Sequence, residues 1–257
     1  MTKQSRDPLA QRAGSLRLHG LLAHWDEVVN NPEMFEFSRT LVDWEEREAQ
    51  QRRQRRLLGA TKIGDVEPVS GFDWRWPKSI PRELIEDLFS LGFLAQKTNV
   101  VFLGSSGLGK TTLAKNLVHE AARAGHEAMF IPAADMLDDL LGEAGRTGVE
   151  KALKRYAKPR LLAIDEVGYL SYDTRHADLL LRVIQKRHRT GSTIVTTNRP
   201  FSEWRDMFPN ASSVVALLDR LTENCELVHI VGDSYRAHMA KQRREEREAN
   251  RKSRRKG

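Results

Sequence analysis

The chain has 257 residues, with 42 lysines and arginines against 35 aspartates and glutamates, 40% hydrophobic residues and one cysteine. That length accommodates one α/β domain with a full core plus a smaller appendage, and the lone Cys225 excludes an internal disulfide and is expected to pack in a strand. With no run of eighteen apolar residues, no apolar leader and no histidine spaced as a metal ligand with cysteine or carboxylates, the sequence argues against a membrane span, export and a zinc site, so a cytoplasmic protein is expected.

Most of the net charge of +7 sits at one end, because residues 241–257 hold nine basic and three acidic residues. Such a basic tail can bind nucleic acid through its charge or can be a solvated, disordered end. At the other end, residues 1–58 read as a helical domain. Leu16, Leu18, Leu21, Leu22, Trp25, Val28 and Val29 form an apolar stripe that Asn30-Asn31-Pro32 terminates, and a second helical run is expected after Ser38, whose hydroxyl could cap it. That run ends on Arg52, Arg53, Arg55 and Arg56, which could meet DNA phosphates or could simply keep a surface helix soluble. Residues 59–80, rich in glycine and proline, read as a linker. Its stretch Phe72-Asp73-Trp74-Arg75-Trp76 is expected to dock on the domain that follows, with or without touching a bound base.

From residue 81 to 240 helices and strands alternate, which predicts a mostly parallel, five-stranded sheet with right-handed crossovers. A helix over 81–90 precedes the strand Asn99-Val100-Val101-Phe102-Leu103, and Gly104-Ser105-Ser106-Gly107-Leu108-Gly109-Lys110-Thr111 follows it, fitting the phosphate-loop pattern G-x-x-x-x-G-K-[ST] with a helix from Thr112 onward. The glycines allow a tight loop whose backbone N–H groups face a polyphosphate, at the positive end of the helix. Lys110 would reach the β- and γ-phosphates, the Thr111 hydroxyl would ligate Mg²⁺, and the loop residues together with Thr112 make up the nucleotide-binding set.

Strands over 128–131 and 161–166, with helices over 133–141 and 149–157 between them, come next. Leu161-Leu162-Ala163-Ile164-Asp165-Glu166 is an apolar strand running into two carboxylates at the ligand edge of a sheet: Asp165 would hold the Mg²⁺ shell, and Glu166 would orient and polarise the attacking water. A helix over 178–184 leads to the strand Ser192-Thr193-Ile194-Val195-Thr196-Thr197-Asn198. The Asn198 amide could hold that water or a γ-phosphate oxygen, or could serve as a turn residue before Arg199-Pro200. A helix over 214–221 carries Asp219-Arg220, and a last strand over 225–231 ends in Gly232-Asp233-Ser234-Tyr235-Arg236.

The acidic pair in Leu161-Leu162-Ala163-Ile164-Asp165-Glu166-Val167-Gly168-Tyr169-Leu170, the run Ser192-Thr193-Ile194-Val195-Thr196-Thr197-Asn198-Arg199-Pro200-Phe201-Ser202-Glu203-Trp204, the element Leu218-Asp219-Arg220-Leu221 and the closing Gly232-Asp233-Ser234-Tyr235-Arg236 together resemble the IstB transposition-helper ATPases, which share one AAA+ group with the helicase loader DnaC. The resemblance covers about residues 10–238 and implies an AAA+ P-loop core over 81–240. Lys110 and Thr111 then match the Walker A lysine and threonine, Asp165 and Glu166 the Walker B pair, Asn198 the sensor-1 position, Arg220 an arginine finger that enters a neighbouring subunit's site, and Arg236 the sensor-2 arginine. Ser105-Ser106 stands where many relatives have a proline and Asp233 where many have glutamate, and neither change removes a phosphate or metal contact.

What the resemblance implies is a homo-oligomer with ATP at its subunit interfaces, which assembles on duplex DNA, assists a cognate DDE-type transposase and hydrolyses ATP to disassemble. Lys151, Lys154 and Arg155, on the helix before the acidic strand, join Arg52 to Arg56 as candidate phosphate contacts. Two other readings compete: a DnaC-like loader that prefers single-stranded DNA, and a scaffold that binds ATP without hydrolysing it.

Overall fold

A computed structural model describes residues 7–168, 173–208 and 213–254, the last seven as backbone alone. Tyr169 and Leu170 of the pattern above, and tail residues 255–257, lie outside the described residues. The chain divides into two compact units, Met1–Arg56 and Leu57–Gly257.

The first unit is helical. Asp7 caps α1 (Pro8–Ser15) by accepting from Leu9 N, and Pro8 occupies the first turn, where no amide is missed. The apolar stripe is not one helix. Arg17, at φ 61°, and a break at His24 divide it into α2 (His19–Ala23) and α3 (Trp25–Asn30). The breaks let Trp25 and Val28 pack on Leu9, Ala10, Ala13 and Val42, while Val29 is left exposed. The next helix, α4 (Pro32–Ala60), starts six residues before Ser38: the Asn31 side chain accepts from Glu33 N and Met34 N, and Pro32 presets the first turn, so Ser38 is an internal, buried residue and not the cap. Arg12 ties α1 to α4 by pairing with Asp43 and Glu46.

In the second unit, residues 61–80 lie against the nucleotide domain. Val66, Val69, Phe72 and Trp74 pack on its core, and Asn116 accepts from Val69 N while donating to Glu67 O. There follow α5 (Arg82–Phe89), α6 (Gly92–Gln96), β1 (Asn99–Leu103), α7 (Lys110–Arg123), β2 (Ala128–Pro132), α8 (Ala133–Leu141), α9 (Gly145–Ala157) and β3 (Leu161–Val167). The unit continues with α10 (Thr174–Arg187), β4 (Ser192–Thr197), α11 (Trp204–Met207), α12 (Ser213–Thr222), β5 (Cys225–His229) and α13 (Tyr235–Arg254). Where these helices outrun the sequence reading, caps account for it: α10 begins four residues early because Asp173 and His176 form a reciprocal capping box, two polar residues that hydrophobic spacing passes over. The basic tail continues α13 as helix to Arg254.

The sheet is parallel throughout in the order β2-β3-β4-β1-β5. Successive residues alternate between its faces. Val100 and Phe102 of β1, Leu161 and Ala163 of β3, and Ile194 of β4 pack with α5, α6 and α7, whereas Val101, Leu162, Ile164 and Val195 pack with α8 to α12. That sandwiching explains why β3 and β4 are apolar without alternation in the sequence. Cys225 opens β5 at the sheet edge, where burial pushes its thiol up to about 12, leaving it an inert packing group.

Below the sheet, Arg187 is 1% exposed and has carbonyls for partners: it donates to Tyr156 O, Pro159 O and Ser192 O at 2.5–2.9 Å and to Thr193 Oγ1 at 3.0 Å. Burial pulls its pKa down to about 9, so it is still a cation at neutral pH. It therefore closes the turn before β3 onto the start of β4. Arg187→Leu strands three buried carbonyls and is expected to cost about 3 kcal/mol or more in urea unfolding. A loss below about 1 kcal/mol would show that water replaces the guanidinium without penalty.

Candidate nucleotide site

Three neighbouring strands, β3, β4 and β1, end side by side, and the phosphate loop leaves β1 beside the point where the strand order reverses. Gly107 and Gly109 have φ of 81° and 82°, a region that side chains resist, and both are crowded. A Cβ on Gly107 would stand 2.2 Å from Ser234 Oγ, and one on Gly109 would stand 2.4 Å from Phe72 Cε2. The loop is thus packed between the aromatic stretch and the start of α13. Tyr235 N donates to Gly107 O at 3.0 Å, Trp76 Nε1 donates to Asp233 O at 2.7 Å, and the Trp76 ring lies 4.2 Å from that of His238. Residues 72–76 therefore dock as expected, on the loop itself and on the helix that carries Arg236.

Lys110 is buried, and its Nζ donates to Gly104 O and Ser105 O at 2.7 and 2.8 Å, so the ammonium is held at the loop by carbonyls. Burial lowers its pKa; Asp165 and Glu166 oppose the shift, and Arg236 adds to it. Arg236 lies on an exposed surface of α13, with no hydrogen bond to Lys110 among the described residues, and its charge is the smallest of the influences on that lysine.

The acidic pair is split by a bulge. Ile164 pairs with Val195 and Val167 with Thr197, so Asp165 and Glu166 together stand opposite Thr196. Asp165 keeps the alternation of β3 and faces α7, where Thr111 Oγ1 donates to both its oxygens at 3.1 Å. Burial raises the Asp165 pKa, against hydrogen bonds from Thr196 and Thr111 that favour the carboxylate; a bound cation would favour it further. Glu166 takes the left-handed conformation, φ 61°, and its side chain is exposed between buried neighbours. A non-glycine residue held there carries strain of the kind that marks working sites. Asn198, just past β4, has a buried Oδ1 with no hydrogen-bond partner, the one such side-chain atom among the described residues. An orphaned buried acceptor calls for an occupant. The oxygen donors of Thr111 and Asp165, with that orphan and the glycine cradle, fit a magnesium-bound triphosphate.

Arg220 is elsewhere. It lies half-buried near the C-terminal end of α12, donates to Ala216 O in its own helix, and lines a cavity of about 250 Å³ with Lys97, Asn99, Thr193 and Asn224. Asn99, Thr193 and Asn224 mark the starts of β1, β4 and β5, so Arg220 sits at the edge of the sheet opposite the phosphate loop. The five residues of β1 separate the two by about 15 Å, beyond an arginine's reach. Of the candidate phosphate contacts, Arg52, Arg53, Arg55 and Arg56 are exposed on α4, with Arg52 paired to Glu45 and Arg55 donating to Gln51. Lys151 and Lys154 are exposed on α9, but Arg155 is engaged by Asp139 and lies 3.9 Å from Glu143. Thr196 escaped the sequence reading. Its signal was its place, a hydroxyl one residue inside the buried end of the strand that Asn198 follows.

Sheet order, phosphate loop and acidic strand define a P-loop nucleotide-binding protein of the AAA+ kind. The chain belongs to the family of IstB-like ATP binding proteins, whose family model matches residues 11–245. It is 37% identical over 240 residues to the insertion sequence IS232 ATP-binding protein of Bacillus thuringiensis subsp. berliner, covering 91% of this chain and 96% of that one. It is 34% identical to the IS5376 ATP-binding protein of Geobacillus stearothermophilus over 78% of this chain and 80% of that one. Among solved structures, DnaI shares the fold, with a TM-score of 0.52 at 17% identity over 70% of this chain and 92% of that one. Among the described residues, no helix is long and apolar enough to cross a membrane.

Proposed function

We propose that this chain is a Mg²⁺-dependent ATPase of the cytoplasm that assembles on duplex DNA as a homo-oligomer, with ATP bound between subunits, and assists the DDE-type transposase of its insertion sequence. The ATPase core would span 81–240, with helical residues 1–58 and basic residues 241–257 as its appendages. The observation that carries the reading is the distance between Arg220 and its own phosphate loop. An arginine near the start of β1, on the edge that the loop does not occupy, serves ATP only if a second copy presents it.

Within that reading, Lys110 leaves the carbonyls of Gly104 and Ser105 for the β- and γ-phosphates, and backbone N–H groups from Gly107 to Thr111 face the same oxygens. Thr111 and Asp165 would hold Mg²⁺, which when bound neutralises charge on the β- and γ-phosphates. Glu166 orients the attacking water and takes its proton, and Asn198 fixes that water or a γ-oxygen. Arg220 of the neighbouring subunit stabilises charge on the transferring phosphoryl group, so the interface holds while the γ-phosphate is present and weakens once it is gone. Arg236, at the start of the helix packed on the loop, would supply a second cation.

Contacts to duplex DNA would be mostly to phosphates and therefore tolerant of sequence. Replacing Lys151 and Lys154 with alanine is expected to flatten the slope of log K against log salt by about 2 per subunit. Adding Arg155→Ala changes the slope little, because Arg155 is already engaged by Asp139. An unchanged slope in the double variant would reject α9 as the DNA surface. The reading as a whole is tested by sedimentation of the purified protein with ATP and Mg²⁺, with ADP, and with duplex or single-stranded DNA. A large complex that needs both ATP and duplex is expected. Assembly on single strands alone would favour a helicase loader, and a protein that stays small in every mixture would remove the assembly reading.

A further inference from the structure

The register of β3 against β4 leaves one residue, Thr196, facing two, Asp165 and Glu166. Thr196 is 1% exposed and spends its hydroxyl on both. Its Oγ1 donates to Asp165 Oδ1 at 2.5 Å and accepts from Glu166 N at 2.9 Å. In a regular parallel ladder a strand amide is paired by a backbone carbonyl; at this bulge the side chain of the opposing strand takes that place. The two bonds act on different things. One holds the Asp165 carboxylate on the α7 side, within reach of Thr111. The other anchors the amide of a residue in the left-handed region, the conformation that exposes the Glu166 side chain while Val167 returns to the core.

We infer that Thr196 is the positioning residue for both acidic groups, pinning the bulge that sends Asp165 toward the metal-binding threonine and Glu166 out toward the reacting water. The inference rests on the ATPase reading for what the two carboxylates do, but not for how they are held. A hydroxyl is required, since valine has nearly the same shape and can neither donate to Asp165 nor accept from Glu166 N. Serine can do both.

The test compares Thr196→Val, Thr196→Ser and the wild type. In the ligand-free protein, amide exchange at Glu166 is expected to be at least about tenfold faster in Thr196→Val than in the wild type, with Thr196→Ser close to wild type. With a non-hydrolysable ATP analogue, Mn²⁺ used as the spectroscopic metal is expected to bind Thr196→Val about 10–100-fold more weakly, and kcat is expected to fall by a similar factor. Binding of the nucleotide without metal should be unchanged, which a general loss of structure would not permit. Thr196→Ala makes the same comparison should the valine variant fail to fold. Wild-type exchange at Glu166 together with wild-type Mn²⁺ affinity in a folded hydroxyl-free variant would overturn the inference. A wild-type protein without ATPase activity would instead count against the functional reading, and the exchange and metal measurements would still decide the role of Thr196.

Discussion

Arg220→Ala is expected to lower ATP turnover by about 10³-fold or more while leaving ATP affinity near that of the wild type. The split follows from position. At the loop end of the sheet, where the nucleotide would sit, Lys110 is held by Gly104 O and Ser105 O and Thr111 donates to Asp165, whereas Arg220, among the described residues, donates to Ala216 O alone and lines a cavity at the other end. Removing it takes no contact from the nucleotide within its own subunit, so binding to the isolated protein has nothing to lose. On the proposed reading, what it takes away is a guanidinium from the neighbouring site, at the step where charge moves onto the leaving oxygen. Binding followed with a fluorescent ATP analogue, beside steady-state phosphate release, checks both halves. A variant that hydrolyses ATP normally would show that Arg220 is no finger, and one that no longer binds ATP would show that the distance across the sheet is not maintained.

Glu166→Gln should lower turnover by about 10²–10⁴-fold and trap the ATP-bound state. The side chain is exposed and at the end of a bulge, so amide for carboxylate costs the fold little; on the proposed reading it removes the charge that would polarise water and accept its proton. Asp165 retains its bonds from Thr111 and Thr196, so nucleotide and metal binding persist. Complexes formed with ATP on duplex DNA should therefore outlast those of the wild type, seen as a slowed loss of the large species after dilution. Equal lifetimes would separate hydrolysis from disassembly.

Much of this site is legible in the sequence because its parts are local. The phosphate loop is eight consecutive residues, and a strand that is apolar on both faces before Asp165-Glu166 announces a sheet edge. The remainder depends on register, which no single segment carries. The shift that places Thr196 opposite two carboxylates is a relation between strands thirty residues apart in the chain. Gly107 and Gly109 are recognisable as loop glycines, but that Ser234 and Phe72 are what crowd them depends on the return of α13 and of the 72–76 stretch to the loop. Errors in the helical N-terminal region have a similar source. Hydrophobic spacing reads Leu16 to Val29 as one stripe, while the positive φ of Arg17 and the side-chain cap at Asn31 are local backbone and capping features that the spacing does not encode.

The central claim is that each ATP site is completed by a second copy, and mixing two inactive variants tests it directly. Arg220→Ala subunits keep Glu166, and Glu166→Gln subunits keep Arg220. Combined in equal amounts with ATP, Mg²⁺ and duplex DNA, they form some interfaces that hold both intact groups. Random assembly predicts recovery of about a quarter of the wild-type rate from two proteins that are each inactive alone. A mixture no more active than its components would contradict a finger acting between subunits.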